Sequence, residues 1–428
     1  MTSAGTTAAK HHLGVRRLLV VPDFRRLLAS RLASQWGDGL FQAGLAGAVL
    51  FNPERHANPA DIAAGFAVLL LPYSVIGPFA GALLDRWDRR RVLVVANLIR
   101  AVFILLTAMA VGAGFTGLPL YAAALVVTGV SRFVGSGLSA SLPHVVEGDH
   151  LVEANAFATT FGAMSAALGA GTAVGLRQLL GDGDGGSSWT TSFAIAGSLL
   201  AAFIASRFRQ GILGPDEVDE PSRAITAVAH GLLDGSRAAW RTPNVAASLA
   251  GLLAHRLAFG ASLLLTLLLL RHGGGTGFAG FAGVAIASGV GILLAGLIID
   301  RIVDRLGRKR TISAALALGA AAQLGLGLPM LLPTLVVAAF VVAFVGQVVK
   351  LCVDASVQSE VGDEVRGRVF ALYDTLFNAA QVASVAVAAA VVPLDGRSTG
   401  LIIGTAVLYL LGLCGHLLLL RRASPRQR

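Results

Sequence analysis

Apolar stretches of about 20 residues alternate with short polar breaks along most of this chain, and ~20 residues is what a helix needs to cross a ~30 Å hydrocarbon layer. Twelve such stretches can be drawn: 27–51, 62–84, 92–113, 119–143, 153–179, 190–206, 245–270, 278–299, 311–328, 334–356, 367–392 and 399–420. The longest break, 207–244, contains Pro215-Asp-Glu-Val-Asp-Glu-Pro221 and several arginines, and it divides the stretches six and six. Its prolines and acidic residues mark it as a linker. The pattern predicts an all-α membrane protein of twelve transmembrane helices. A basic tail (1–26) leads into a six-helix bundle (27–206), followed by the linker (207–244), a second six-helix bundle (245–420) and a short tail (421–428).

The two halves share a charged signature. One copy reads Gly81-Ala-Leu-Leu-Asp85-Arg86-Trp-Asp88-Arg89-Arg90-Arg91, and the other, 219 residues later, reads Asp304-Arg305-Leu-Gly307-Arg308-Lys309-Arg310 after Gly296-Leu-Ile-Ile-Asp300-Arg301. Each copy ends a long apolar run. Repetition at half-chain spacing predicts internal duplication, with equivalent loops on one side of the bilayer.

Composition agrees with that class. Hydrophobic residues are 55% of the 428 and charged residues only 14%, against roughly a quarter charged in soluble domains. The net charge of +10 would raise nucleic-acid binding in a soluble protein. Here the basic residues sit in loops without interleaved aromatics, so no nucleic-acid partner is expected. Of the 34 basic residues, 25 fall in the N-terminal tail, 85–91, 207–244, 301–310, 366–368 and the C-terminal tail. The alternate loops hold only Arg55, Arg177, Arg271 and Arg397. By the positive-inside rule both termini and the linker are expected in the cytoplasm. The arginine excess over lysine suggests a GC-rich bacterial genome. Residues 1–25 lack a small-residue cleavage site after an apolar core, so they read as a retained basic tail. Gly181-Asp-Gly-Asp-Gly-Gly186 and Gly273-Gly274-Gly275 read as flexible turns. Cys352 and Cys414 lie inside apolar runs, which supports neither a disulfide framework nor a metal site. No nucleophile–base pair and no nucleotide-binding loop is present, so no catalytic residue and no cofactor is expected.

Twelve spans in two halves, a charged linker and the G-x-x-x-D-R-x-x-R-R hairpin together resemble the major facilitator superfamily over essentially the whole chain. The hairpin is similar to that family's motif A, with Gly81, Asp85, Arg86, Arg89 and Arg90 on its defining positions and Asp88 in place of the usual Gly. The second copy keeps Asp304, Arg305, Gly307, Arg308 and Lys309, but has Asp300 where a Gly is expected and looks stretched by a helical turn. The resemblance implies two bundles that alternate between inward and outward states, with these hairpins as cytoplasmic gates. A carboxylate at a helix end can accept hydrogen bonds from guanidinium groups or a helix N-terminus in one state only, and so bias the equilibrium. The plainer reading of the hairpins is obedience to the positive-inside rule.

Charges near the bilayer centre are costly and are functional candidates by default. Asp38, Arg132, Arg256 and Asp374 stand out by depth. The 219-residue offset carries Asp38 almost onto Arg256, so the two could face each other across the midplane. Proton coupling at Asp38 competes with a structural role beside Gln35 and Trp36. Arg132 matches the leading Arg of the family's motif B, although Gly135 and Ser136 replace the Gln and Gly. The resemblance implies that it regulates a cavity acid, whereas the alternative is a packing Arg on backbone carbonyls. Span 5 carries the small-residue stripe Gly162, Gly169, Gly171, Gly175 without the proline of the family's antiporter motif. Lys350 and Asp354, four apart, are expected to neutralise each other locally. Arg100 and Glu360 are placed near the interfaces, where long side chains snorkel. Gln35, Trp36, Phe41, Phe259, Tyr373 and Phe377 are candidate substrate contacts, and Phe133 and Phe161 further candidate cavity walls.

The segments Leu142-Pro143-His144 to Phe157 and Asp363-Glu364 to Phe370 are similar to the drug:proton antiporter subgroup related to macrolide and siderophore exporters. The resemblance therefore implies a monomeric, plasma-membrane exporter of a hydrophobic or amphipathic small molecule, driven by proton antiport. A lipid or siderophore exporter and a proton-coupled uptake symporter remain alternatives, and a transport-dead receptor or assembly factor is the alternative from another class.

Overall fold

The computed structural model describes residues 19–50, 52, 59–84, 87–147, 150–214, 224–272 and 277–423. Asp85 and Arg86 of the first hairpin, the glycine run 273–275 and the segment 215–221 lie outside the described residues. The first half forms α1 (Pro22–Leu50), α2 (Pro59–Leu84), α3 (Arg89–Gly112), α4 (Leu118–Ala140), α5 (Leu151–Leu180) and α6 (Asp184–Ser206, interrupted at Phe193). An extra helix, α7 (Ala224–Arg241), occupies the linker. The second half forms α8 (Pro243–His272), α9 (Gly277–Leu306), α10 (Arg308–Ala322), α11 (Leu332–Glu360), α12 (Asp363–Val391) and α13 (Thr399–Ala423). Among the described residues nine helices are long and apolar enough to cross a membrane. Although 29 residues long, α1 is not one of them, because it carries Gln35, Asp38, Gln42 and several arginines.

Local chemistry sets the boundaries. Asp88 caps α3 by accepting from the Arg90 N–H at 2.9 Å, the side-chain acceptance that satisfies an orphan donor at a helix start. At the equivalent place in the second half Gly307 turns the chain with φ +75°, which lets α9 run on through Asp304 before α10 begins. The segment at 181–186 is not simply a loop: α6 begins at Asp184, so span 6 is longer than its apolar pattern. At the far end of α10 the helix loosens into a π turn over Gln323–Gly327, and Gln323 Nε2 donates to Ser262 Oγ on α8 at 2.7 Å.

Helix pairings repeat between the halves. In the first, α1 packs on α5 and α6, α2 on α4, and α3 on α4 and α6; in the second, α8 packs on α12 and α13, α9 on α11, and α10 on α11 and α13. Small residues permit the closest crossings. A side chain at Gly39 would overlap Ala166 backbone, and one at Gly169 would overlap Trp36 backbone. Part of the expected span-5 stripe is thus the α1 contact, whereas Gly171 and Gly175 meet nothing.

Between halves the symmetry breaks. Helices α2 and α12 pack extensively, but their counterparts α9 and α5 make no comparable contact among the described residues. The halves also meet at the arginine-poor end, where Ile62 is 1% exposed inside a cluster with Leu264, Leu268, Val385 and Val392.

Candidate functional site

Three polar groupings occupy the membrane-depth interior. The first is wholly within the N-terminal bundle. Arg100, at mid-length of α3, is fully buried and donates from Nη1 to Asp38 Oδ1 at 2.8 Å and to Ser34 Oγ at 2.9 Å, and from Nε to Ser198 Oγ at 2.9 Å. Ser131 adds a 2.6 Å hydrogen bond to the same Asp38 oxygen. Asp38 therefore pairs with its own bundle and not with Arg256, and Arg100 does not snorkel. Equivalence under the 219-residue offset fixes height in the membrane, but each helix presents its residues to its own neighbours.

The second grouping surrounds Arg256 on α8. Its Nη1 donates to Gln381 Oε1 on α12 at 2.9 Å, and its guanidinium carbon sits 3.2 Å from the centre of the Phe377 ring and 5.6 Å from that of Phe259. Such stacking is an attractive cation–π contact. The Nε of Arg256 is buried without a hydrogen-bond partner among the described residues. Tyr373, 3% exposed, meets Phe377 edge-on at 5.8 Å between centroids. The neighbouring His255, 2% exposed, shares a 2.8 Å hydrogen bond with the Tyr409 hydroxyl.

The third grouping lies between the bundles. Asp374 on α12 is exposed, and the charges acting on it include Arg132 from α4, Lys350 and Asp354. Arg132 belongs to the first half and Asp374 to the second, so this interaction spans the divide. Lys350 Nζ lies 2.8 Å from Asp354 Oδ2, the expected i,i+4 pair, and 5.9 Å from the centre of the Tyr373 ring.

The candidate substrate contacts separate. Phe259, Tyr373 and Phe377 gather around Arg256. Phe41 does not reach the divide: it is 1% exposed inside the core of the first bundle with Leu40, Leu45 and Val49. Trp36 donates from Nε1 to Thr172 Oγ1 on α5 at 3.3 Å, and Gln35 packs against Gly162 of α5. Both spend their contacts on the α1–α5 seam.

The hairpins bind helix ends. Arg89, 6% exposed, donates from Nη1 to Ala140 O at the end of α4 at 2.9 Å and to Leu213 O at 3.2 Å, with His144 Nδ1 at 3.3 Å. Arg90 donates to Ser206 O, the last residue of α6, at 2.8 Å. Guanidinium groups at carbonyl-rich helix ends are stabilised by the helix dipole. The duplication offset carries Arg89 onto Arg308 and Ala140 onto Ser359. Arg308 indeed donates to Ser359 Oγ at 2.7 Å and to Ala355 O at 3.0 Å near the end of α11, and Glu360, placed near the interface, lies 4.0 Å away. Gly81 lies in the last turns of α2. Asp304 and Arg305 are exposed, and Asp304 pairs with nothing among the described residues. At the opposite end Arg271 on α8 donates to Val49 O at 3.4 Å and Asn52 O at 3.3 Å on the first half. Sequence reasoning put Arg100 at an interface and not in a buried cluster, and it marked neither Gln381 nor this use of Arg271. A signal for Arg100 existed: Ser34, Ser131 and Ser198 fall at matching depths in three neighbouring spans.

Comparison with known proteins places this geometry. The chain matches the Major Facilitator Superfamily over residues 32–385 and 275–428. It is 46% identical over 424 residues to an uncharacterized MFS-type transporter of Mycobacterium tuberculosis and, equally, to one of Mycobacterium bovis, covering 96% of this chain and 94% of each relative. Among solved structures it is similar to a mutant form of the nucleoside transporter NupG, with TM-score 0.67 and 13% identity, covering 93% of this chain and 98% of that one. The POT family transporter PepTSo gives TM-score 0.66 at 10% identity, covering 94% and 98%.

Proposed function

The chain belongs to the Major Facilitator Superfamily and is a membrane transporter of that type, and from that premise we propose that it exports a hydrophobic or amphipathic small molecule in exchange for protons by alternating access. The observation that carries this reading is the placement of opposite charges at membrane depth on the two halves, Arg132 on α4 and Asp374 on α12, with Asp374 exposed. A charge on each bundle, one of them exposed, is a contact that differs between the two states of a rocking pair of bundles, and such differential contacts are what ligands and protons bias. An acid in that position can take a proton as substrate leaves. Export is favoured over uptake by the antiporter-like segments before α5 and α12.

In this reading the arginine-rich end faces the cytoplasm, the protein works as a monomer in the plasma membrane, and the closed cluster at Ile62 and Leu268 is the outer gate. The test uses proteoliposomes with an imposed proton gradient and a panel of dyes, lipids and siderophores. Gradient-driven substrate movement is expected in the wild type and lost in Asp374→Asn, with substrate counterflow retained. Full gradient-driven transport in both Asp374→Asn and Asp38→Asn would sink the proton assignment.

A further inference from the structure

A groove of ≈ 390 Å³ opens at the arginine-rich end of the second bundle, between α7 and helices α8, α12 and α13. That volume falls in the ~300–1,000 Å³ range of small-molecule sites. Its lining is almost wholly carbon and includes Trp240, Ala246, Leu249, Leu253, Leu372 and Phe377. Helix α7 is fastened over it. Gly235 lets its backbone approach the Arg368 carbonyl, and Arg368 Nη1 bonds Asp234 Oδ2 at 3.0 Å. The lip is open: Trp240 is 65% exposed, Leu376 39% and Leu253 36%. An amphipathic helix bearing an exposed Trp beside Arg241 is the pattern of an element lying in the membrane interface.

The inner end of the groove is Phe377, and Phe377 is also the ring beneath the Arg256 guanidinium. Arg256 commits Nη1 to Gln381 but leaves a buried Nε with no hydrogen-bond partner among the described residues. An apolar slot that begins at the bilayer surface thus ends at a cation with a donor to spare. We propose that the groove takes the hydrocarbon tail of the transported molecule and Arg256 its head, so that the substrate is a single-tailed amphiphilic anion with a carboxylate or phosphate head. One slot matches one tail, and one guanidinium matches one negative head. The word substrate rests on the transporter reading above; the binding site does not.

The full chain in phosphatidylcholine nanodiscs tests the site without a gradient, by quenching of Trp240 fluorescence with 9,10-dibromostearate. A saturable component of the quenching is expected and should vanish in Trp240→Phe, leaving only unsaturable quenching of the exposed Trp87 and Trp189. Oleate should displace the probe at least tenfold more effectively than oleyl alcohol, since hydrogen bonds between charged groups are the strong ones. Arg256→Gln should weaken probe binding about tenfold while Arg256→Lys retains part of it, and Ser236→Phe, which fills the groove from α7, should weaken acid and alcohol alike. Quenching that never saturates, or that Arg256→Gln leaves unchanged, overturns the proposal and makes the groove a seat for ordinary bilayer lipid. Gradient-driven transport in vesicles separates the two readings: transport of other compounds without this binding refutes the inference alone, and binding without any transport refutes the exporter alone.

Discussion

Arg100 and Asp38 form a 2.8 Å ion pair that ties α3 to α1, with the guanidinium 1% and the carboxylate 19% exposed. Breaking a buried pair from one side costs about 3–5 kcal/mol, whereas replacing both partners by apolar groups of similar volume is often neutral. Arg100→Ala and Asp38→Ala should therefore each lower the apparent melting temperature in detergent sharply, and Arg100→Met with Asp38→Leu should recover most of the loss. A double variant as unstable as the summed singles would show that the two residues do not act as a pair.

Arg271 reaches across the halves to the carbonyl end of α1, and Asn52, whose carbonyl it also binds, donates from Nδ2 to Asp184 Oδ1 at 2.5 Å. In an alternating-access cycle these bonds would be broken when the arginine-poor end opens. Hydrogen bonds to a charged donor contribute about 1.5–3 kcal/mol, so Arg271→Ala should raise the population open at that end about tenfold. The check is the rate at which a membrane-impermeant maleimide labels Ile62→Cys, a position 1% exposed in this state. An unchanged labelling rate would remove Arg271 from the gate.

Arg89 and Arg308 are equivalent by duplication but differ in environment. Arg89 is 6% exposed and contacts two carbonyls, while the Arg308 side chain is 35% exposed and screened by water. Arg89→Gln should cost about 1–3 kcal/mol by stranding buried acceptors, and Arg308→Gln less than ~1 kcal/mol. Comparing the thermal stabilities of the two variants decides this, and equal losses would mean that burial does not set the difference.

What the sequence made legible was whatever depends on length and repetition. Apolar runs marked the twelve helices of the two halves, and the hairpin offset carried Arg89 onto Arg308 together with its acceptor. What it hid depends on the face of a helix. Asp38 and Arg256 lie at matching heights, yet one turns toward Arg100 and the other toward Gln381, because neighbours within a bundle meet before the bundles meet each other. Phe41 was misplaced for the same reason. Helix α7 was hidden because it follows the proline- and acid-rich run 215–221 and carries His230, Asp234, Arg237 and Arg241 among its apolar residues: its Gly235 and Ala239 face becomes a core surface only once α12 is beside it.

In the proposed exchange cycle, Arg132 and Asp374 are the pair whose contact should distinguish the two states. They sit on different halves, so in an alternating-access cycle their separation should change as the bundles move, and removing either charge should alter the balance between states without emptying a packed core. Asp374 is exposed, which predicts that Asp374→Asn folds normally. Arg132→Asp alone should bring like charges together and cut transport at least tenfold, and so should Asp374→Arg. The double reversal, Arg132→Asp with Asp374→Arg, restores opposite signs and should recover a substantial part of the rate, with a coupling of ~0.5–3 kcal/mol. Substrate counterflow in vesicles is the measurement, because it reports the bundle motion independently of proton coupling. If the double variant is no better than the worse single, the two charges do not act on one another during the cycle, and the divide between α4 and α12 is not where the states are distinguished.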